Sequence, residues 1–193
     1  MKKSWSYLQM KWLATAQIVF GQSSLALETF NKMAARFGLD AYILSSRAHL
    51  KAQSGNTVAA LQDYRELCDN HGPSAAHWFN MGFIQETLGQ LEAAENSFRQ
   101  AVALDERLDR AWYGLGLVLI QLSRAEDAIV ALKRNTQLQP MSPHGWYQLA
   151  RIHEQRQEPE EVAKIIRHLQ GFEPKVAAQL MSETGINAQA NRA

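Results

Sequence analysis

Apolar residues along this chain recur at helical spacing, in pairs of segments separated by short polar breaks. Between Trp78 and Leu88 they fall three or four residues apart, and after Gly89 the same spacing resumes through Phe98. A period of 3.6 residues is typical of an amphipathic helix with one face in the core. The pattern therefore predicts two helices joined by a tight turn at Gly89.

This helix pair is one unit of an internal repeat. Trp78, Trp112 and Trp146 lie at 34-residue intervals, and an aromatic residue follows each of them directly. Four columns of matched positions keep the same interval: Ala14, Ala48, Gly82, Gly116 and Ala150; Ala26, Ala60, Ala94, Ala128 and Val162; Gly21, Gly55, Gly89, Ser123 and Gln157; and Phe30, Tyr64, Phe98, Leu132 and Ile166. The columns predict five repeats, at residues 7–40, 41–74, 75–108, 109–142 and 143–176.

Each column has a physical role in a stack of helical hairpins. The first two hold small residues, which let paired helices approach closely, and the fourth supplies large apolar side chains between the hairpins. The third column marks the turn, where glycine adopts a left-handed backbone at the least cost. Ser123 and Gln157 occupy that column in the last two repeats, so we expect those two turns to be less favourable.

The repeat resembles the tetratricopeptide repeat. Trp78-Phe79-Asn80-Met81-Gly82, followed by Gly89, Ala94, Phe98 and Ala101, is close to its signature, as is Trp112 to Gly116 continued to Pro140. Asn135 replaces a small residue of the signature, and the sequence suggests no role for it. The resemblance implies an all-α, right-handed α-solenoid of five helix-turn-helix repeats. It would form a single domain over 1–186, with a capping helix at about 175–184 and a polar tail at 187–193.

Charge and cysteine content narrow the class of partner and the compartment. Lys and Arg number 20 against 19 Asp and Glu, with no basic stripe, so we expect no nucleic-acid partner. The lone Cys68 cannot form an internal disulfide, which favours the reducing cytoplasm. Met1-Lys2-Lys3 and the apolar run from Trp12 to Phe20 weakly resemble a secretory signal, which leaves export or membrane association as a less favoured alternative. No run is long and apolar enough for an integral membrane segment.

No residue pattern points to catalysis. The 6 histidines lack the spacing of a zinc site, and no nucleotide-binding or nucleophile motif is present. The sequence therefore predicts a protein that is not an enzyme and that has no cofactor, no metal and no catalytic residue.

The resemblance implies a concave groove lined by the first helix of each repeat, where a peptide ligand would lie. Its middle is aromatic, which favours a partner with apolar anchors, although the same side chains could instead pack against neighbouring helices or the capping helix. The predicted groove residues are Tyr42, His49, Phe79, Asn80, Phe83, Arg110, Tyr113, Leu117, Gln121, Tyr147 and Arg151.

Two functions fit this surface best, and a regulatory subunit of a separately encoded enzyme is a less favoured third. The first is a non-catalytic adaptor that holds a peptide or helical segment of another protein in the groove. The alternative is an assembly or secretion chaperone that shields an aggregation-prone client. Trp5, Tyr7 and Trp12 crowd the start of the first repeat, which makes a homo-oligomer through that end a further possibility.

Overall fold

The computed structural model describes residues 4–72 and 74–186, and within those ranges the chain is all α-helical. The polar tail at 187–193 and the Met1-Lys2-Lys3 start lie outside the described residues. The eleven helices are α1 (Trp5–Val19), α2 (Ser23–Phe37), α3 (Ala41–Gln53), α4 (Thr57–Asn70), α5 (Ala75–Thr87), α6 (Leu91–Leu104), α7 (Asp109–Gln121), α8 (Ala125–Leu138), α9 (Pro143–Gln155), α10 (Pro159–Gln170) and α11 (Pro174–Thr184). The predicted fold class is confirmed.

The helices form two compact units, one ending at Leu104 and the other beginning at Asp105. In the first, which we call unit 1, α1 packs on α2, α3 on α4 and α5 on α6 as antiparallel hairpins, and α2 and α4 also contact the helix that follows each of them. In the second, unit 2, α7 pairs with α8 and α9 with α10, while α11 packs on α10 and α9. The repeat ranges and the single domain over 1–186 stay predictions.

Small and large residues of the repeat face each other inside the hairpins. A Cβ atom added at Gly82 would lie 3.0 Å from the Phe98 ring, and one at Gly116 would lie 2.7 Å from Leu132. A Cβ this close requires the neighbouring side chain to move, so both glycines permit a close approach of the paired helices. The role predicted for the small residues is confirmed at these two positions.

The turns within the hairpins adopt the expected left-handed backbone. The φ angles are 73° at Gly21, 80° at Gly55 and 72° at Gly89, and 59° at both Ser123 and Gln157. A side chain with a Cβ atom is disfavoured at such angles by contact with the following carbonyl oxygen. The two turns of unit 2 therefore carry a steric cost that the three turns of unit 1 avoid.

A charged cluster that the hydrophobic pattern did not reveal joins α3 to α4 in unit 1. The buried carboxylate of Asp63 accepts hydrogen bonds from Lys51 Nζ at 2.6 Å and from Arg47 Nη2 at 3.1 Å. Burial of a carboxylate is tolerated when it is paired and hydrogen-bonded in this way.

Asn135, for which the sequence suggested no role, links three helices of unit 2. Its Nδ2 donates a hydrogen bond of 3.0 Å to the carbonyl of Asp109 at the start of α7. A Cβ atom on Gly145 of α9 would come within 2.3 Å of Asn135 Oδ1, so the amide fits only beside a glycine. The polar side chain therefore stands in the space between hairpins because Gly145 provides room for it.

The tryptophans of the repeat anchor the segments between hairpins in unit 2. Trp112 Nε1 donates to the carbonyl of Glu106, and Trp146 Nε1 donates to the carbonyl of Pro140, each at 3.0 Å. Both carbonyls lie six residues before the tryptophan. The indole thus packs its apolar body on the hairpin while its N–H satisfies a backbone group.

Candidate protein-binding clefts

Unit 1 contains a cleft of about 380 Å³ between α3, α4 and α5, which we call the α3–α5 cleft. A cleft of this size is within the range that accommodates a side chain or a short segment of a ligand. Its lining residues are His49, Ala52, Gln53, Tyr64, Phe79, Asn80, Phe83 and Ile84. Four of them, His49, Phe79, Asn80 and Phe83, are among the predicted groove residues, which the fold therefore brings together.

The apolar side of the α3–α5 cleft is built from consecutive turns of α5. Phe83 is 58% exposed, whereas Ile84 beside it is buried. Phe79, one turn earlier, is half-buried and its ring lies 6.0 Å from that of Phe98. Phe83 is thus the ring available to a ligand, while Phe79 also supports the hairpin.

The polar groups of the cleft include an amide and a hydroxyl that bind each other. Asn80 hydrogen-bonds Tyr64, and burial raises the pKa of the Tyr64 hydroxyl above its ordinary value. A carboxamide has two N–H donors and an acceptor oxygen, which leaves Asn80 with capacity for a peptide backbone. His49 and Gln53 are exposed at the rim.

Tyr42, another predicted groove residue, packs against the first hairpin. Its ring meets that of Phe30 edge-on at 5.7 Å, and Lys11 Nζ lies 4.2 Å from the ring centroid. Its hydroxyl is 3.4 Å from Thr15 Oγ1. These contacts hold α1 and α2 to α3.

Unit 2 contains a second cleft, of about 320 Å³, between α7, α9 and α11, which we call the α7–α11 cleft. Its lining residues are Tyr113, Pro143, His144, Tyr147, Gln148, Val176 and Gln179. Arg110 joins Tyr113 and His144 around an adjoining depression of about 310 Å³. Leu117 and Gln121 follow Tyr113 at four-residue steps along α7, the first half-buried and the second exposed.

Helix α11 contacts Tyr147 and Arg151, the remaining two predicted groove residues. Tyr147 donates its hydroxyl proton to Glu183 Oε2 at 2.8 Å, and Arg151 Nη1 lies 3.6 Å from the same oxygen. Hydrogen bonds from Gln179 and Tyr147 lower the pKa of the Glu183 carboxyl, and the same carboxylate raises the pKa of Tyr147. The alternative that a groove aromatic packs on the capping helix thus applies to Tyr147.

Side chains that could bind a metal ion are not grouped in the part of the chain that the structure describes. Over residues 4–72 and 74–186 no group of three His, Cys, Asp or Glu side chains could hold a metal ion. Burial raises the pKa of the Cys68 thiol to about 11, which keeps it protonated and unreactive.

No helix of the described ranges has the length and apolar character needed to cross a bilayer.

Among the solved structures that share this fold, three illustrate the likeness at low sequence identity. A tetratricopeptide repeat protein from Parabacteroides merdae ATCC 43184 is 19% identical with a TM-score of 0.82, covering 97% of this chain and 77% of that one. YrrB, a tetratricopeptide repeat protein with an unusual peptide-binding site, is 14% identical with a TM-score of 0.80, covering 93% and 92%. MamA from residue 41 to its end, from Desulfovibrio magneticus RS-1, is 16% identical with a TM-score of 0.76, covering 100% of each chain.

Sequence comparison identifies the repeat more locally. The family model of the tetratricopeptide repeat matches residues 84–134, from the last turn of α5 into α8. No curated protein matches the chain. The chain thus carries tetratricopeptide-repeat sequence over residues 84–134, and over most of its length it shares the fold of solved tetratricopeptide repeat structures.

Proposed function

We propose that this chain is a non-catalytic protein-interaction module that binds a peptide or a helical segment of a partner protein in the α3–α5 cleft. The observation that carries the proposal is the Phe83 ring, 58% exposed at the edge of a cleft whose floor is apolar. A large aromatic side chain exposed beside a preformed cleft is typical of a binding surface.

The chemistry of the cleft defines the ligand that it suits. An apolar side chain of the ligand would enter between Phe83, Ile84 and Ala52, and full burial of one such side chain contributes about 1.5 to 3 kcal/mol. Asn80, with His49 and Gln53 at the rim, supplies hydrogen bonds for the ligand backbone. Two or three such anchors contribute about 3 to 9 kcal/mol before the cost of association, so we expect a dissociation constant no tighter than the micromolar range.

The structural relatives support this reading in general terms. Tetratricopeptide repeats as a class are protein-interaction modules, and YrrB is described as having a peptide-binding site. The low sequence identity makes the likeness one of fold, so the ligand class proposed for this chain rests on its own α3–α5 cleft.

The test is a selection of ligands followed by a matched pair of substitutions. A phage-displayed library of random peptides is selected on the full chain, and the affinity of a recovered peptide is measured by fluorescence anisotropy. Phe83→Glu places a charge on the apolar edge of the cleft, and we expect it to weaken binding at least tenfold, about 1.4 kcal/mol. Val58→Glu, at a 61% exposed apolar position on α4 outside the cleft, is the control and should leave the affinity unchanged.

Phe83 is a better probe than Phe79, because Phe79 packs on Phe98 and its removal would disturb the hairpin. Equal affinities for the Phe83→Glu variant and the unmodified chain would refute a role for the cleft. Recovered peptides that lack apolar residues would refute the proposed ligand chemistry.

A further inference from the structure

Helix α1 carries the largest group of exposed apolar side chains on any helix of the described residues. Trp5 is 75% exposed, Trp12 74% and Val19 75%, and Phe20 just after the helix is 78% exposed. Leu8 and Leu13 are exposed as well. This surface, made of Trp5, Leu8, Trp12, Leu13, Ala16, Val19 and Phe20, is called the outer face of α1 below.

The outer face is the side of α1 opposite to the one that packs on unit 1. Tyr7 and Ala14 are buried and lie on the inner side of the helix. Tyr7 donates a hydrogen bond of 2.7 Å to Asp40 Oδ2, and its ring meets Phe37 edge-on at 5.4 Å. Of the three aromatic residues at the start of the first repeat, Tyr7 therefore belongs to the core, whereas Trp5 and Trp12 are exposed.

Charge is nearly absent from α1. The helix has no Asp or Glu, and its one cation, Lys11, lies over the ring of Tyr42 on the inner side. A helix that lies on a bilayer surface carries Lys and Arg beside its apolar face to meet anionic headgroups. The composition of α1 therefore favours an uncharged protein surface over a lipid surface as the occupant.

The order of side-chain sizes along the outer face fits a second copy of the same helix. Trp12 is the midpoint of α1 (Trp5–Val19). In an antiparallel pair with a two-fold axis at Trp12, each Trp5 faces Val19 of the second copy and each Leu8 faces Ala16 of the second copy. Away from the axis, large side chains thus meet smaller ones, as close packing across an isologous interface requires, while the two Trp12 side chains meet at the axis itself.

The area of the outer face is adequate for a dimer. Trp5, Trp12 and Phe20, each about three-quarters exposed, together present on the order of 350 to 550 Å², since an aromatic side chain buries roughly 150 to 250 Å². A standard interface buries about 800 Å² per partner. Leu8, Leu13 and Val19 therefore have to supply only the part of this area that the three aromatic side chains do not.

We propose that the outer face of α1 is a homodimer interface, in which two copies of the chain pair antiparallel about Trp12. This interface is separate from the α3–α5 cleft and involves different helices, so it holds or fails independently of the proposed function.

The first experiment is sedimentation equilibrium of the full chain. The unmodified chain should sediment as a dimer, and Trp12→Glu should raise the dimer dissociation constant by roughly 100-fold, the effect expected of a central aromatic anchor. Val58→Glu, which adds the same charge at an exposed apolar position elsewhere in unit 1, should leave the dimer intact. The Trp12→Glu chain should keep the peptide affinity of the α3–α5 cleft.

The second experiment tests the register in a Cys68→Ala background. Under mild oxidation Leu8→Cys and Ala16→Cys chains should form a disulfide with each other when mixed, while neither should form one alone. Disulfides formed only within each separate variant would indicate a parallel pair and overturn the arrangement.

Three other results would overturn the proposal itself. They are an unmodified chain that stays monomeric at high concentration, a dimer that persists in Trp12→Glu, and a monomer that binds phosphatidylcholine vesicles through α1.

Discussion

The two clefts differ in what closes them, although each is formed by successive first helices of hairpins. In unit 1 the α3–α5 cleft ends in the exposed Phe83 ring and a rim of neutral polar groups. In unit 2 helix α11 forms one side of the α7–α11 cleft, and its Glu183 binds Tyr147 and Arg151. Equivalent positions in the repeat thus have different availability to a ligand, because only one of the two clefts is partly filled by the chain itself.

The same contrast extends to the charged groups that hold the hairpins together. In unit 1 Asp63 is buried between Arg47 and Lys51. In unit 2 the pair between Arg156 and Glu126 is largely open to water. Because water screens exposed pairs, we expect the charges of unit 1 to matter far more for stability.

The largest effect expected from this comparison follows removal of the buried carboxylate. Asp63→Ala leaves Arg47 and Lys51 facing each other without compensation, and we expect it to lower the free energy of unfolding by about 2 to 4 kcal/mol. Urea denaturation followed by circular dichroism measures the change. Glu126→Gln is the matched variant in unit 2 and should have little effect, since Arg156 retains its bond to Glu158 at 2.8 Å. If Asp63→Ala and Glu126→Gln lowered the free energy of unfolding by similar amounts, the expected difference between the charged groups of the two units would be contradicted.

A smaller effect is expected at the turns. Ser123→Gly and Gln157→Gly each remove a side chain from a left-handed backbone position at φ 59°. Each substitution should stabilise the chain by about 0.5 to 1 kcal/mol. Gly55→Ala introduces the same steric conflict at φ 80° in unit 1 and should destabilise by a similar amount. Thermal denaturation of the three variants checks whether the melting temperature rises in the two glycine variants and falls in Gly55→Ala. A destabilised Ser123→Gly chain would show that the hydroxyl stabilises its turn in a way that outweighs the backbone cost.

The smallest effect is expected at the contact between α11 and the α7–α11 cleft. The pKa of Glu183 is lowered in the folded chain, so its bonds to Tyr147 and Arg151 stabilise the fold above the ordinary carboxyl pKa and are lost as pH falls through the lowered value. The melting temperatures of the unmodified chain and Glu183→Gln should therefore differ slightly at neutral pH and converge in acid. Glu106→Gln, at an exposed position, serves as the control. A difference in melting temperature that grows as the pH falls would contradict a stabilising role for the ionised Glu183 carboxylate.

A large part of the fold could be predicted from the sequence because it depends on short-range periodicity. The 34-residue columns indicated the helices, the close approach at Gly82 and Gly116, and the left-handed turns at Gly55 and Ser123. Each of these features depends on residues within one hairpin. For the α3–α5 cleft the same reasoning identified His49, Phe79, Asn80 and Phe83 as groove positions, and the fold brings these four together.

What the sequence by itself determined is the helical class, the hairpin spacing and which helix faces are apolar. The tertiary structure alone decided which of those faces are covered. It buried Tyr7 while leaving Trp12 exposed, joined Asp63 to two cations, gave Asn135 a place beside Gly145, and brought Glu183 onto Tyr147. The physical reason is that helical periodicity fixes the direction of a side chain about its own axis, whereas burial and pairing depend on distances to helices that are remote along the chain.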